Sequence, residues 1–204
     1  AINAAGMYEF EGLMSARELE KVSSVGFDEV AVFEDSVVFF GERGIVQHSP
    51  AFGNRIWTHV NFPMDAFEHD GGVYITSQTQ GIFGIEGDAL VEIPGLGEFR
   101  NERAIVDSAR FAGRRIMGSL REGLFEFRDG AVAPVQTAAD GFLAHGIQQI
   151  AAVGDRYLIV VVAGRGLAIL DADLEIVQMI DDSIDTNFSS IEDIHYSGEG
   201  ILWA

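Results

Sequence analysis

The chain has no cysteine, which removes disulfides, thiol nucleophiles and thiolate metal sites together without choosing a cellular compartment. Proline is scarce, four residues against 24 glycines in 204, so the turns are those of glycine between strands and not of proline-rich linkers. Lysine is almost missing: Lys21 stands beside twelve arginines in a chain of formal charge −19. So acidic a molecule repels phosphate backbones, which argues against nucleic acid as a partner. No run approaches the roughly 18 apolar residues that cross a bilayer, and the longest, 157–162, suits a buried strand, so no membrane span is expected within these residues. The opening residues lack the basic start, apolar middle and small-residue cleavage site of a signal peptide. The chain then reads either as cytoplasmic or as a mature segment excised from a longer protein.

Several chemical signatures are also wanting. His48, His59, His69, His145 and His195 show no metal-ligand spacing, and the acidic runs at Asp171 and Asp173 and at Asp181, Asp182 and Asp185 lack the alternation and glycine of a calcium loop. Gly95-Leu96-Gly97 and Gly164-Arg165-Gly166 open no helix, so they fail as phosphate cradles. Ser23-Ser24 and Ser189-Ser190 have no nucleophile elbow. Neither a metal nor another cofactor is expected.

What the chain does contain is a repeat. A glycine followed by an apolar pair recurs at Gly6, Gly44, Gly81, Gly123 and Gly166, at intervals of 38, 37, 42 and 43 residues. An apolar strand precedes each of these glycines except the first, whose missing strand lies at the other end of the chain, in 201–204. Joined end to end, the termini read ILWAAINAAGMYEF, with the layout of 73–85 and a wrapped interval of 44 residues. Residues 114–135 show the unit most clearly, as three short strands with a polar break at Arg121-Glu122 and a turn at Asp129-Gly130.

A unit of about forty residues and four strands cannot cover both faces of its own sheet and must stack on a neighbour, as in a propeller blade. The fold expected is all-β: a five-bladed β-propeller of about 41 residues per blade in one domain, 1–204. Its N- and C-terminal strands share one blade and leave no open edge. Phe40, Phe83, Phe125 and Phe127, with Trp57 and Trp203, are read as core between blades. Residues 15–22 are ambiguous between helix and strand, and the repeat favours a strand.

In such a ring the connection between the second and third strands, and that from an outer strand to the next inner one, emerge on one face. The first kind carries Arg43, Arg121 and Arg165, each within two residues of a repeat glycine. The long connection 94–103 adds Arg100 and Arg103 to that face. Guanidinium forks match carboxylate, sulfate or phosphate, so an anion or acidic-sugar site is one reading and rim ion pairs with Glu42, Glu102 and Glu122 are the plainer one. Phe62, Phe99, Phe142 and Phe188 fall in the long connections, where they either line an aromatic mouth suited to sugar stacking or plug the ring.

The stretch 187–204, NFSSIEDIHYSGEGILWA, resembles the two-component-regulator propeller repeat: a Ser-Ile pair, an acidic tract, a glycine turn and Leu-Trp ahead of a Gly-Leu-Tyr or Gly-Leu-Phe strand. Residues 6–10 and 123–127 are similar to its second half. The resemblance implies a periplasmic or extracellular sensor region of hybrid histidine kinases and related signalling proteins, which recognises a small molecule, often a saccharide, on the propeller face. The function expected is therefore a non-catalytic ligand-sensing or interaction module, with a small anionic or saccharide ligand or a protein as partner. Two alternatives stand beside it: a glycan lyase or hydrolase, for which His145, His195 and a carboxylate such as Asp193 would converge, and a protein-docking scaffold.

Overall fold

The structure is a computed structural model describing residues 2–3, 6–7, 29–41, 44–181, 183–184, 191, 194–196 and 202–203. Four antiparallel four-stranded sheets follow one another along the chain. The first holds β3 (Glu29–Val32), β4 (Val37–Gly41), β5 (Gly44–Ser49) and β6 (Gly53–Trp57). The second holds β7 (Pro63–His69), β8 (Gly72–Ser77), β9 (Gly81–Glu86) and β10 (Ala89–Glu92). The third holds β11 (Ile105–Phe111), β12 (Arg114–Ser119), β13 (Leu124–Arg128) and β14 (Ala131–Pro134), and the fourth β15 (Ile147–Val153), β16 (Tyr157–Val162), β17 (Gly166–Leu170) and β18 (Ile176–Asp181). Two ladders near the chain ends complete the described strands: β1 (Ile2–Asn3) with β2 (Gly6–Met7), and β19 (His195–Tyr196) with β20 (Leu202–Trp203). The expected strand over 15–22 lies outside the described residues.

Each four-stranded sheet meets the next through its first strand, in the series β3, β7, β11, β15 and β19. The sheets therefore radiate as blades from a common line, and their last strands carry the exposed positions. Tight turns make this possible. At Asp70-Gly71, Ala112-Gly113 and Asp129-Gly130 both turn residues have positive φ, between 49° and 76°, the conformation whose twist matches a two-residue hairpin. His69 pairs with Gly72, so the second-blade turn is centred on Asp70-Gly71.

Alternation along the strands fills the space between blades, because successive side chains point to opposite faces. In β16, Leu158, Val160 and Val162 face the third blade's core, where Ile116, Leu124 and Leu143 lie, while Ile159 and Val161 face Leu167 and Ile194. This is why 157–162 is a continuous apolar run: both of its faces are covered. Phe67, Phe99, Phe125 and Phe127 fill the second-to-third interface, and Phe40, Trp57, Ile75 and Phe83 the first-to-second. Trp57 donates its ring N–H to the Asp88 carbonyl at 3.0 Å, as a buried indole requires. The Trp203 side chain lies outside what is described.

One departure from pure β structure sits in 136–146. Thr137 donates its amide and hydroxyl to Asp140 Oδ1 at 2.9 and 2.8 Å, which starts a single turn of helix, α1 (Asp140–Leu143), with Leu143 buried. A 3-10 turn, Asn101–Arg103, precedes β11.

Candidate functional site

The connections converge on one face because backbone hydrogen bonds tie them together. The loop after β8 is held by Gln78 N–H donating to Phe62 O at 2.9 Å, and Asn101 N–H donates to Gln78 O. In the next blades Leu120 N–H donates to Ala104 O at 2.8 Å and Ala163 N–H to Gly146 O at 2.9 Å. Phe62 and Arg100 thus flank the same loop. Phe62 is 46% exposed and holds a left-handed backbone, φ 50°, a strained state for a bulky residue. Arg100 is exposed.

The other residues expected on this face differ in surroundings. Arg103 donates to Glu98 Oε2 and to Glu122 Oε2, both at 2.8 Å, and lies 5.0 Å from the Phe99 ring centre. Phe99 is only 3% exposed and packs edge-on against Phe125, so its ring belongs to the core beneath Arg103. Arg121 is exposed and reaches the His145 carbonyl at 3.5 Å. Arg165 is exposed near Asp181, whose carboxyl is held below its ordinary range by the hydroxyl and amide of Ser183, with a smaller pull from Arg165. Phe142 is half-buried against the core. Arg43, Phe188 and Asp193 lie outside the described residues, and of His195 only the backbone is described. His145 is exposed, with Nδ1 3.3 Å from Phe142 O. Among the described residues no group of three or more His, Asp or Glu is placed to hold a metal ion.

A second set of polar residues, which the sequence reading did not single out, lines the inner strands. Glu29, Asp65, Asp107 and Gln149 occupy one register position, opposite Phe40, Thr76, Gly118 and Val161 of their second strands. In three of the four a bulge immediately precedes them. Gln149 clasps the next inner strand with both ends of its amide: Nε2 donates to Ile194 O at 3.3 Å and Oε1 accepts from Ile194 N–H at 2.7 Å. Asp107 reaches the next inner strand with one oxygen, its Oδ2 accepting from Ile150 N–H at 2.7 Å, while Oδ1 takes Ser108 N–H of its own strand at 2.8 Å. Unpaired groups on a strand edge are costly to bury, so these side chains act as latches between blades. Gln149→Ala should cost about 2 kcal/mol by leaving two buried groups of Ile194 unmet; a urea titration with an unchanged midpoint would refute the latch.

Asp65 is the latch that does not close. The Ser108 amide, equivalent to that of Ile150, is already taken by Asp107, and Asp65 Oδ2, Ser108 Oγ and Arg115 Nε are all shut from solvent without a hydrogen-bond partner. Burial pushes the Asp65 carboxyl up to about 6, against smaller opposing effects of Ser108, the Arg115 charge and the Ala66 amide. Asp107 is raised as well, first by burial and then by the nearby Asp65 charge. Arg115 is lowered from its ordinary value, chiefly by burial.

Beside Arg115, where the hairpins after β7 and β11 meet the turn after β3, a cavity of about 630 Å³ opens. Phe33, Phe67, Glu68, Arg110 and Arg115 contribute to its lining. It lies at the opposite ends of the strands from the loop face. Its arginines stand on the hairpin between first and second strands, which the sequence reading left without a role.

No family model matches the chain, and no curated protein does. Solved structures do. The extracellular domain of the putative one-component system BT4673 from B. thetaiotaomicron aligns over 87% of this chain and 26% of its own, with a TM-score of 0.65 and 13% identity. That of the putative hybrid two-component system BT3049 from the same organism aligns over 84% and 24%, at 0.54 and 18%. The WD40 β-propeller domain of Doa1 aligns over 74% and 53%, at 0.53 and 13%. The chain thus spans from about a quarter to about half the length of these structures. At such identities the likeness shows the fold alone, a β-propeller.

Proposed function

We propose that the chain is a non-catalytic sensing or interaction propeller of an extracytoplasmic signalling protein, periplasmic or extracellular in location. Its ring is proposed to close as five blades, with the two ladders at the chain ends forming the shared one. Support for five comes from the four blades in series and from the sequence interval across the joined termini, which matches the others. Support for sensing comes from the similarity of the repeat to two-component propellers and from the extracellular domains of such systems among the structural neighbours.

Recognition is assigned to the loop face. The observation that carries this is the exposed, backbone-strained Phe62 beside the exposed Arg100 on one hydrogen-bonded set of loops. An aromatic face and a guanidinium fork together suit an anionic saccharide. Arg121, Arg165, Arg43 and Phe188 extend the same surface, while Phe99 and Phe142 support it from below and Arg103 braces two of its loops. The test is an array of acidic and neutral oligosaccharides probed with the wild-type chain and with the triple variant Arg100→Ala, Arg121→Ala, Arg165→Ala. The acidic sugars should bind, and the triple variant should bind them at least tenfold more weakly for each charge-assisted hydrogen bond removed, with an unchanged melting temperature. Equal binding by both proteins would move recognition elsewhere.

A further inference from the structure

The cavity of about 630 Å³ has a charge pattern that folding alone does not explain. Arg110 and Arg115 pair directly across β11 and β12, so their side chains leave the same face of the ladder with Cβ atoms about 5 Å apart. Like charges so placed are destabilising, and Arg110 does lower the readiness of Arg115 to stay charged. Arg114, on the neighbouring position, is satisfied by Glu126 at 2.9 and 3.0 Å. Arg110 is exposed, whereas Arg115 is fixed: Nη2 donates to Glu68 O at 2.7 Å and its guanidinium lies 5.4 Å from the Phe67 ring centre. Among the described residues the buried carboxylates near Arg115 are Asp65 and Asp107, both reluctant to ionise, and the Glu68 charge also acts on it. A pair of guanidiniums, one held rigid and one free to close, is left facing a cavity with aromatic wall and acidic rim, the rim being the exposed Glu34 and Asp70.

We propose that this cavity is a second ligand site, distinct from the loop face, for a small polyhydroxy carboxylate. The carboxylate bridges Arg110 and Arg115, relieving their repulsion. The ring or chain of the ligand packs on Phe33 and Phe67, and its hydroxyls donate to Glu34 and Asp70. The volume lies in the range of small-molecule pockets, and the mixed charge of the lining selects a body with donors over a bare anion such as sulfate.

The experiment is calorimetric titration of the full chain with galacturonate and with galactose, repeated on Arg110→Gln and on the loop-face triple variant. Galacturonate should bind wild type and the triple variant alike, galactose at least about tenfold more weakly. Arg110→Gln should lose galacturonate binding by a similar factor while melting no lower than wild type, since it removes a like-charge neighbour. Because Arg115 also holds Glu68, Arg110 is the substitution that separates binding from folding. The proposal is overturned if galactose binds as well as galacturonate, if Arg110→Gln binds like wild type, if no binding occurs at millimolar galacturonate, or if the triple variant is the one that loses it. The last outcome would place the sugar on the loop face, and so would support the reading above while sinking this one.

Discussion

Asp65→Asn makes the protein more stable at pH 8, by up to about 3 kcal/mol, and the gain disappears as the pH is lowered towards 4. The carboxyl is raised from 3.8 to about 6 by burial, so the folded state holds its proton more tightly than the unfolded chain does. Between those values the native protein carries the extra proton, and its unfolding free energy falls as pH rises. The penalty is complete above about 6 and absent below 3.8; at about 1.4 kcal/mol per pH unit it reaches the figure given. Asparagine stands in for the protonated acid at every pH and escapes the penalty. Asp65 is the position to choose because its Oδ2 has no partner to lose, whereas Asp107 accepts two backbone N–H groups. Urea titrations at pH 4, 6 and 8 decide the matter. If the variant is the less stable of the two at pH 8, the ionised carboxylate must gain more from Arg115 than it forfeits by leaving water.

The same residue marks where the sequence stopped being readable. The repeat glycines, the two-residue turns and the alternating apolar strands are local features, and each appears in the chain as a pattern with a fixed period. Phe40, Phe83, Phe125 and Phe127 could be assigned to the core on that ground. The latch position also has a period, Asp65, Asp107 and Gln149 standing 42 residues apart. It was hidden because the residue type changes from carboxylate to amide while the geometry stays, and because a search for metal or nucleophile spacing looks for proximity along the chain. The count that would have found it is that of polar residues about 16 positions ahead of a repeat glycine, 16 for Asp65 and Asp107 and 17 for Gln149. The cavity arginines were missed for another reason: which face of a ring carries a pocket depends on how far neighbouring hairpins splay, a tertiary quantity with no sequence period. Phe99 shows the converse. Its place in a long connection left it open between an aromatic mouth and a plug of the ring, and the loop doubles back through Leu96 and Phe99, whose side chains complete the core between the second and third blades.

Gly81→Ala should destabilise the protein by about 3 kcal/mol or more, and Gly123→Ala by only about 1, though both are repeat glycines at the entry to the third strand of a blade and both have positive φ, 97° and 84°. Torsional strain is common to the two and costs on the order of 1 kcal/mol. The difference lies in what a methyl group would meet. At Gly81 it falls 2.6 Å from Leu96 O and 2.7 Å from Gly97 Cα, both backbone atoms of the outer connection, and moving them breaks the bond in which Ile82 N–H donates to that same Leu96 carbonyl. At Gly123 the nearest atom is the Leu143 Cβ at 3.9 Å, an ordinary contact. Gly130, at φ 73° with nothing within 4 Å, measures the torsional cost alone and should match Gly123. Denaturant midpoints of the three variants rank them directly. If all three fall together near 1 kcal/mol, the glycine of the repeat is there only to turn the chain. If Gly81 stands apart, it is there to let the third strand lie against the connection that leads on to the next blade; at Gly44 and Gly166 an added methyl group would likewise meet backbone, the Trp57 carbonyl at 2.6 Å and the Ile180 carbonyl, in the fourth strand of the same blade.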